Sequence, residues 1–254
     1  MALSARQSVE MLHLVFLRAL VGKGGDKGLI ALKGGCNLRF YFASVRYSED
    51  IDFDVVFTSR ETLKNKVERL LRAPAVTSPL RTRGLEIVDV SAPKQTDTTQ
   101  RWKLGLRAEG TSVPVRTKIE FSRRDAIAGA SFESTSKDVL RPYGLTPILA
   151  THYTTDAAIA QKIHALAGRT EPQARDVFDL SLLVARPDAI GLKLPADQKA
   201  RLGAAIEHAM SISFDEYQAK VIGYLEPEHV DVYEGRDAWD TTQESVVTYL
   251  ETLR

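Results

Sequence analysis

The sequence predicts an α/β (α+β) fold, in which an amino-terminal domain with a mixed or antiparallel sheet precedes a helical carboxy-terminal domain. Three observations support this prediction. Residues 50–54 alternate acidic and apolar side chains, as a strand does when one of its faces is buried. Three more strand-like stretches follow between residues 85 and 122, separated by turn-forming residues. Beyond about residue 150 the apolar residues recur at three- and four-residue steps, which is typical of helices.

The elements of the amino-terminal half can be placed in chain order. Apolar spacing predicts a first helix over residues 6–20. A second helix follows the acidic strand and ends near Arg72, because the prolines of residues 74–79 cannot continue it. We expect the later strands to form an antiparallel meander that extends the sheet begun by the acidic strand. They cover residues 85–92, 101–108 and 115–122.

The carboxy-terminal half is set off by a polar stretch. Residues 125–147 are rich in Gly and Ser in places, and we expect them to have little regular structure. The predicted domains are therefore 1–125, a linker over 126–150, and a helical domain over 151–254. Five helices are expected in the last domain, and they begin near Thr155, Arg175, Ala196, Ser213 and Thr241.

Composition limits the function classes. The chain has 254 residues, 44% hydrophobic and 26% charged, which is typical of a globular protein. Its formal net charge of +1 gives no global field that would attract nucleic acid, so an RNA partner would need local patches. A single cysteine excludes a disulfide framework. The apolar runs are too short to span a membrane and no signal peptide is evident, so we predict a cytoplasmic protein without a membrane partner.

The acidic strand is the first candidate site. In a strand Asp50, Asp52 and Asp54 would share one face, while the apolar residues between them share the other. Neighbouring carboxylates repel each other unless a cation lies between them, which favours a divalent metal site. Oxygen ligands of this kind favour Mg²⁺ or Mn²⁺. A solvated edge strand is the alternative interpretation.

The glycine pair Gly34-Gly35 is the second candidate. Without Cβ atoms, its backbone can approach a ligand closely, and a turn that enters a helix over residues 35–42 would present N–H groups to a phosphate. An ordinary tight turn is the alternative interpretation. A metal site and a phosphate site in this order along the chain indicate a nucleotide-binding protein.

These residues resemble the first motif of the polymerase-β-like nucleotidyltransferase superfamily, and within it the AbiEii/AbiGii toxin family that includes the MenT toxins. The sequence departs from the family pattern at Cys36, where relatives usually have Thr or Ser, so a hydroxyl contact to phosphate is missing there. The resemblance runs through Lys33, Gly34, Gly35, Arg46, Ser48, Glu49, Asp50, Asp52 and Asp54.

The resemblance implies a third metal-binding acid on a neighbouring strand. Glu120, which lies between two apolar residues, is the candidate, and it could also accept the proton of the attacking hydroxyl. The alternative is a surface glutamate paired with Lys118 or Arg123. By the same resemblance, the nucleotide would be bound by Lys33, Gly34, Gly35, Cys36, Arg46, Ser48 and Lys162.

A second motif in the helical half separates the AbiEii group from other nucleotidyltransferases. It runs from Gln161 to Leu180, with Gln161 in the place of the usual glutamate. The resemblance assigns Lys162 to the triphosphate and gives Asp176 an organising role. Arg175 and Asp179 stand four residues apart, so an ion-pair ladder along the helix is the alternative for Asp179.

The resemblance implies that residues 1–125 are a catalytic domain which transfers a nucleoside monophosphate from an NTP to an acceptor hydroxyl, with Mg²⁺ or Mn²⁺. The expected acceptor is the 3′ end of tRNA, and the expected role is that of a toxin in an abortive-infection system, encoded beside an antitoxin partner. Two alternatives stay open. The enzyme could modify a protein or a small molecule such as an antibiotic, or the chain could be a nucleotide-binding regulatory module without turnover.

Overall fold

A computed structural model describes residues 3–22 and 27–254. The chain forms two compact units, and the first contains the chain up to Ala43 together with Tyr47–Tyr153. The second unit contains Thr154–Arg254 and, in addition, the three residues Ser44–Arg46.

The first unit combines a seven-stranded sheet with five helices among the residues that are described. In chain order its elements are α1 (Ala5–Val21), β1 (Ile30–Lys33), α2 (Gly34–Tyr41), β2 (Ile51–Val55), α3 (Arg60–Arg72), α4 (Pro74–Arg81), β3 (Leu85–Gln95), β4 (Thr99–Ala108), β5 (Val115–Arg123), β6 (Ala130–Ser134), α5 (Lys137–Leu140) and β7 (Leu149–Tyr153).

The sheet is mixed, with the strand order β3-β4-β5-β2-β1-β7-β6. Strands β3, β4 and β5 form an antiparallel meander, and β5 pairs in parallel with β2. Strand β2 runs antiparallel to β1, which pairs in parallel with β7. The predicted α/β fold, and the meander that extends the acidic strand, are therefore confirmed.

The core of the first unit lies against one face of the sheet. Ile51, Phe53 and Val55 alternate along β2 and are buried there, next to strands β1 and β5. Burial of apolar surface is the main stabilising term, so the alternation fixes which face of β2 is turned away from the core. Asp52 and Asp54 lie on that opposite face.

One prediction for the first unit is wrong. Residues 126–150 are not a linker, because β6, α5 and the start of β7 lie within them and belong to the first unit. The elements there are too short for a periodic pattern to show, since β6 has five residues and α5 has four. The predicted end of α3 near Arg72 is confirmed, but a further helix, α4, was not predicted; Pro74 begins it at the first helical position, where its missing N–H is not needed.

The second unit is helical in the part of the chain that it takes after Tyr153. The helix start predicted near Ser213 is confirmed, and Ser213 and Glu216 form a capping box there. Its helices are α6 (Thr155–Gly168), α7 (Ala174–Val184), α8 (Ala196–Lys199), α9 (Leu202–Ser211), α10 (Phe214–Lys220), α11 (Val230–Tyr233) and α12 (Arg236–Thr252).

Two further details of the second unit were not predicted. The last helix begins at Arg236 rather than at Thr241, whose hydroxyl instead donates to the Asp237 carbonyl one turn earlier. The segment Ser44–Arg46 joins the unit through a β-bridge between Arg46 and Leu225. Across residues 3–22 and 27–254, no helix is long and apolar enough to cross a membrane.

Candidate active site

Three strands place charged side chains side by side on the sheet face opposite the core. In the register of the sheet Lys33 of β1 lies opposite Asp52 of β2, and Asp52 lies opposite Glu120 of β5. Because directly opposed residues of neighbouring strands have Cβ atoms about 4.5–5.5 Å apart, Asp52 and Glu120 are neighbours. Strand pairing therefore brings together two acids that are far apart in the sequence.

Gly34 makes room for Asp52 at the start of α2. Its φ is +67°, a left-handed conformation that favours glycine, and a Cβ added there would lie 3.2 Å from Asp52 Oδ2. Helix α2 begins at this residue, and among the described residues no side chain caps its first turn. The amino-terminal end of α2, with its N–H groups and the positive end of its dipole, therefore adjoins the carboxylate of Asp52.

Asp50 stands directly before β2 and is fixed mainly through backbone groups. The Lys118 backbone N–H donates to Asp50 Oδ1 at 3.1 Å. The Asp50 carbonyl accepts from Ser48 Oγ at 2.8 Å and from Cys36 Sγ at 3.3 Å. The side chain of Lys118 adds an ion pair, with 2.7 Å between its Nζ and Asp50 Oδ2.

The other acids of this face are also paired with basic side chains. Arg101 Nε lies 2.6 Å from Glu120 Oε2, so the partner of Glu120 is neither of the residues that the surface alternative named. Asp54 is buried and is bound by Lys33 Nζ at 2.6 Å and by the Tyr153 hydroxyl at 2.7 Å. The predicted nucleotide contact Lys33 is thus paired with Asp54.

Asp52 is the acid with the most perturbed ionisation. Burial, together with the charges of Asp50 and Glu120, raises the pKa of Asp52 to about 6, although Lys118 and Lys33 act in the opposite direction. A divalent cation among these carboxylates would relieve their repulsion, and their oxygen atoms suit Mg²⁺ or Mn²⁺. The donor set therefore fits such a cation.

The three acids do not form a closed metal cluster as they stand. Within the described ranges of the chain, no three His, Cys, Asp or Glu side chains are grouped so that they could hold a metal ion. The reason is visible in the ion pairs, because Asp50 and Glu120 each direct an oxygen to a basic side chain. The assignment of Asp50, Asp52 and Glu120 as metal ligands stays a prediction.

A buried hydrogen-bond network anchors the backbone that leads to Asp50. Thr117 Oγ1 donates its one proton to the Glu49 carbonyl at 2.7 Å, so His13 Nε2, 2.8 Å away, must donate to Thr117 Oγ1. His13 Nδ1 then faces Cys36 Sγ at 3.5 Å. Burial lowers the pKa of His13 to about 3, which keeps it neutral, and burial also raises the pKa of Cys36. Cys36 thus serves this network through its side chain.

The residues of the second motif form a buried ionic cluster in the second unit. Lys162 Nζ lies 2.8 Å from Asp176 Oδ1 and 2.5 Å from Asp179 Oδ2. Arg46 binds both oxygens of Asp179, at 3.0 and 2.9 Å. Arg169 lies 2.9 Å from the other oxygen of Asp176. Asp179 is therefore held by Arg46 and Lys162, which differs from the expected ladder along the helix.

Both signs of charge in this cluster are stabilised by their neighbours. Burial alone would raise the pKa of Asp179, but Arg46 and Lys162 lower it to about 2. Burial would likewise lower the pKa of Lys162, but Asp176 and Asp179 raise it. Asp179 and Lys162 are thus both charged near neutral pH, and their opposite charges compensate each other.

Comparison with known proteins identifies the family. The model of the family described as nucleotidyl transferase AbiEii toxin, type IV TA system, matches residues 15–243 of the chain. The chain belongs to this family. As an AbiEii nucleotidyltransferase it is an enzyme of a toxin–antitoxin family, for which an NTP is the substrate and an antitoxin the partner. No curated protein sequence matches the chain.

Solved structures share the fold of this AbiEii protein. MenT4, a nucleotidyltransferase toxin from Mycobacterium tuberculosis H37Rv, is similar with a TM-score of 0.66 and 17% sequence identity, over 99% of this chain and 87% of that chain. JHP933 from Helicobacter pylori is similar with a TM-score of 0.61 and 18% identity, over 100% of this chain and 93% of that chain. At these identities the similarity establishes the fold alone.

The structure divides the predicted site residues of the AbiEii protein between the two units. Lys33, Gly34, Gly35, Cys36, Ser48, Asp50, Asp52 and Glu120 lie in the first unit. Arg46, Lys162 and Asp176 lie in the second, although Arg46 stands among first-unit residues in the sequence. Their predicted functional roles stay predictions.

Sequence reasoning missed several residues of these arrangements. Lys118 and Arg101 pair with two of the acids, and His13 and Thr117 anchor the backbone beside them. Lys118 could have been found from its position two residues before Glu120, which puts both side chains on one face of β5. The others depend on pairing between distant elements, for which the sequence gives no signal.

Proposed function

We propose that this AbiEii protein transfers a nucleoside monophosphate from an NTP to an acceptor hydroxyl, at the sheet face that carries Asp50, Asp52 and Glu120. The observation that carries the proposal is the position of Asp52. Its carboxylate adjoins Gly34 at the uncapped start of α2, and its pKa is raised by burial and by two neighbouring acids. A cation site and a phosphate site thus adjoin each other, as the transfer of a charged nucleotidyl group requires.

Each part of the chain has a defined task in this proposal. The N–H groups at the start of α2 bind the phosphates of the NTP, and the Gly34-Gly35 turn lets them approach closely. Asp50, Asp52 and Glu120 hold Mg²⁺ or Mn²⁺, which when bound would supply charge neutralisation at the phosphate. Glu120, on β5, accepts the proton of the acceptor hydroxyl.

The acceptor we propose is the 3′ end of tRNA, which the resemblance to the MenT toxins implies, and modification there would make the protein a toxin that blocks translation. The formal net charge of +1 leaves the binding of RNA to local basic patches. The cytoplasmic location expected from the sequence belongs to the same proposal, as does neutralisation by a cognate antitoxin.

The test compares the wild-type protein with Asp52→Asn. Each protein is incubated with one α-labelled NTP at a time, Mg²⁺ and total tRNA, and the RNA is separated on a gel. We expect label on tRNA with the wild type, and a loss on the order of 100-fold or more with Asp52→Asn, because the substitution removes a metal-binding charge with little change in shape. Asp89→Asn, an exposed acid of β3 in the same sheet, is the matched control and should keep full activity.

The outcomes separate the proposal from its alternatives. Wild-type rates of transfer by Asp52→Asn would contradict the metal assignment. Label that appears on a protein or a small molecule, and never on tRNA, would move the acceptor to another class. The absence of any transfer, together with bound NTP, would favour a regulatory module.

A further inference from the structure

Two of the three acids at the proposed site are occupied by cations of the same sheet. Lys118 Nζ lies 2.7 Å from Asp50 Oδ2, and Arg101 Nε lies 2.6 Å from Glu120 Oε2. Lys118 is on β5 and Arg101 on β4, so both belong to the sheet face that carries the acids. Both basic side chains are about one-third exposed, at 33% each.

These ion pairs are not needed to place the acids. The Lys118 backbone N–H already holds Asp50 Oδ1, and Ser48 and Cys36 hold the Asp50 carbonyl. The position of Glu120 is fixed by the pairing of β5 with β2 and β4. The Lys118 and Arg101 side chains can therefore leave without loss of the local backbone structure, and ion pairs this exposed are weak.

The summed formal charge of the three acids and the two basic side chains paired with them changes sign when a divalent cation binds. The three carboxylates of Asp50, Asp52 and Glu120 and the two cations Lys118 and Arg101 together carry a net charge of −1. One divalent cation turns this into +1, which then favours a phosphate group. A cation held by the carboxylates also competes for the oxygen atoms that Lys118 and Arg101 now occupy.

We propose that Lys118 and Arg101 are substrate-binding residues of this enzyme. They neutralise Asp50 and Glu120 while the site lacks a divalent cation, and they bind a phosphate group of the substrate once that cation has taken the acids. The inference rests on the proposed function of the same site. The phosphate can belong to the triphosphate of the NTP or to the backbone of the RNA acceptor, since arginine and lysine recognise both in the same way.

The test uses Lys118→Met and Arg101→Met in the full chain, with thermal unfolding to check that each variant is folded. Mn²⁺ alone is titrated first, by calorimetry, and inorganic triphosphate is then titrated at saturating Mn²⁺. Because a competing cation has been removed, we expect Mn²⁺ to bind roughly 3- to 10-fold more tightly to each variant. Because a phosphate contact has been lost, we expect the triphosphate, or tRNA in a parallel titration, to bind about 10-fold more weakly.

Two controls isolate the effect. Lys118→Arg keeps the charge and should bind Mn²⁺ and phosphate within about 2-fold of the wild type. Arg107→Met removes an exposed ion pair between Arg107, elsewhere on β4, and Glu86 of β3, and it should change neither affinity. Opposite changes in the affinities for metal and phosphate are diagnostic, since a merely structural pair would weaken both when it is broken.

The result identifies the phosphate as well. Weaker binding of triphosphate assigns the two residues to the nucleotide, and weaker binding of tRNA alone assigns them to the acceptor. The proposal is overturned if Mn²⁺ binding to the variants is unchanged or weaker, or if neither phosphate ligand loses affinity. Failure of the wild type to show Mn²⁺ binding that Asp52→Asn abolishes would overturn the proposed function itself, and this inference with it.

Discussion

The ionisation of Asp52 connects the geometry of the site to its chemistry. At a pKa of about 6 this carboxyl group is ionised near neutral pH, but with a smaller margin than an exposed aspartate has. Burial and the charges of two neighbouring acids are the cause, and both oppose the form that binds a cation. The site is thus held in an unfavourable electrostatic state that a divalent cation would relieve.

A pH dependence follows from this ionisation. We expect Mn²⁺ affinity and transfer activity to fall about 10-fold for each pH unit below about 6, because protonation of Asp52 removes a ligand charge. The measurement is a calorimetric Mn²⁺ titration from pH 5 to pH 8. The residual transfer activity of Asp52→Asn should lack this dependence, and a wild-type Mn²⁺ affinity that stays constant down to pH 5 would contradict the assignment.

The same group affects stability with a defined sign. Its pKa is raised from 3.8 in the unfolded chain to about 6 in the folded one, so ionisation of Asp52 opposes folding. This destabilisation is absent below about pH 4 and complete above about pH 6. The site thus reduces the stability of the free protein at the pH where it would function.

Thr117 is predicted to position Asp50 through its hydrogen bond to the carbonyl of the preceding residue, Glu49. Thr117→Val keeps the shape of the side chain but removes the hydroxyl group that bonds to the Glu49 carbonyl and to His13 Nε2. We expect a loss of about 10- to 100-fold in transfer activity, as for other residues that orient metal ligands, and a loss of about 1–3 kcal/mol in the free energy of unfolding. Steady-state transfer assays and urea unfolding measure the two effects.

The conservative variant Thr117→Ser separates positioning from packing. It keeps the hydroxyl group that bonds to the Glu49 carbonyl, so it should restore most of the activity and most of the pH profile. If Thr117→Val is as active as Thr117→Ser while both are equally stable, the network does not position Asp50.

At the residue scale, the sequence shows which side chains carry unusual chemistry, but not their partners. The acidic alternation and the glycine pair could be recognised because a strand and a turn are local patterns. The pairing of Lys118 with Asp50 and of Arg101 with Glu120 could not, because it depends on the register between strands that the sequence does not specify.

At the scale of single elements, length and periodicity decide what the sequence can predict. The long helix α1 and the strands of the meander repeat their pattern often enough to be recognised. Strands β1, β6 and β7 have four or five residues each and no clear alternation, so they were missed. Thr241 misled the prediction because threonine occurs both at the start and in the interior of helices, and α4 was missed because Pro74 marks the end of one helix and the first position of the next.

Helices α6 and α7 carry the charge cluster, and Lys162 is the residue on which it depends. Lys162→Ala leaves two buried carboxylates with one cation fewer, so we expect a loss of about 3–5 kcal/mol in the free energy of unfolding, measured by urea denaturation. If Lys162 also binds the triphosphate, as the family resemblance implies, the substitution should weaken nucleotide binding more than it weakens Mn²⁺ binding.

A double variant serves as the control for Lys162. Lys162→Met combined with Asp176→Asn removes one charge of each sign, and it should recover much of the lost stability because fewer buried charges lack a partner. Unchanged nucleotide affinity in this stable variant would refute the assignment of Lys162 to the triphosphate.

At the scale of the whole molecule, the sequence predicted the change from a sheet-containing unit to a helical one, since the spacing of apolar residues changes there. It did not predict that the second unit takes Ser44–Arg46 from within the first. Three residues carry no composition signal, and they are held by the β-bridge between Arg46 and Leu225 and by the buried ion pair between Arg46 and Asp179.

That excursion of the chain has a consequence for how the gene can be divided. The helical unit is not encoded by one continuous stretch, because Arg46 comes from codons that precede Thr154 by more than a hundred positions. A polypeptide that starts at Thr154 would contain the fully buried Asp179 but lack Arg46. Lys162 would then be the one remaining partner of Asp179 among these three residues, and it is shared with Asp176. Translation must therefore reach α7 before an arginine made much earlier finds its partner, which ties maturation of the helical unit to the complete chain.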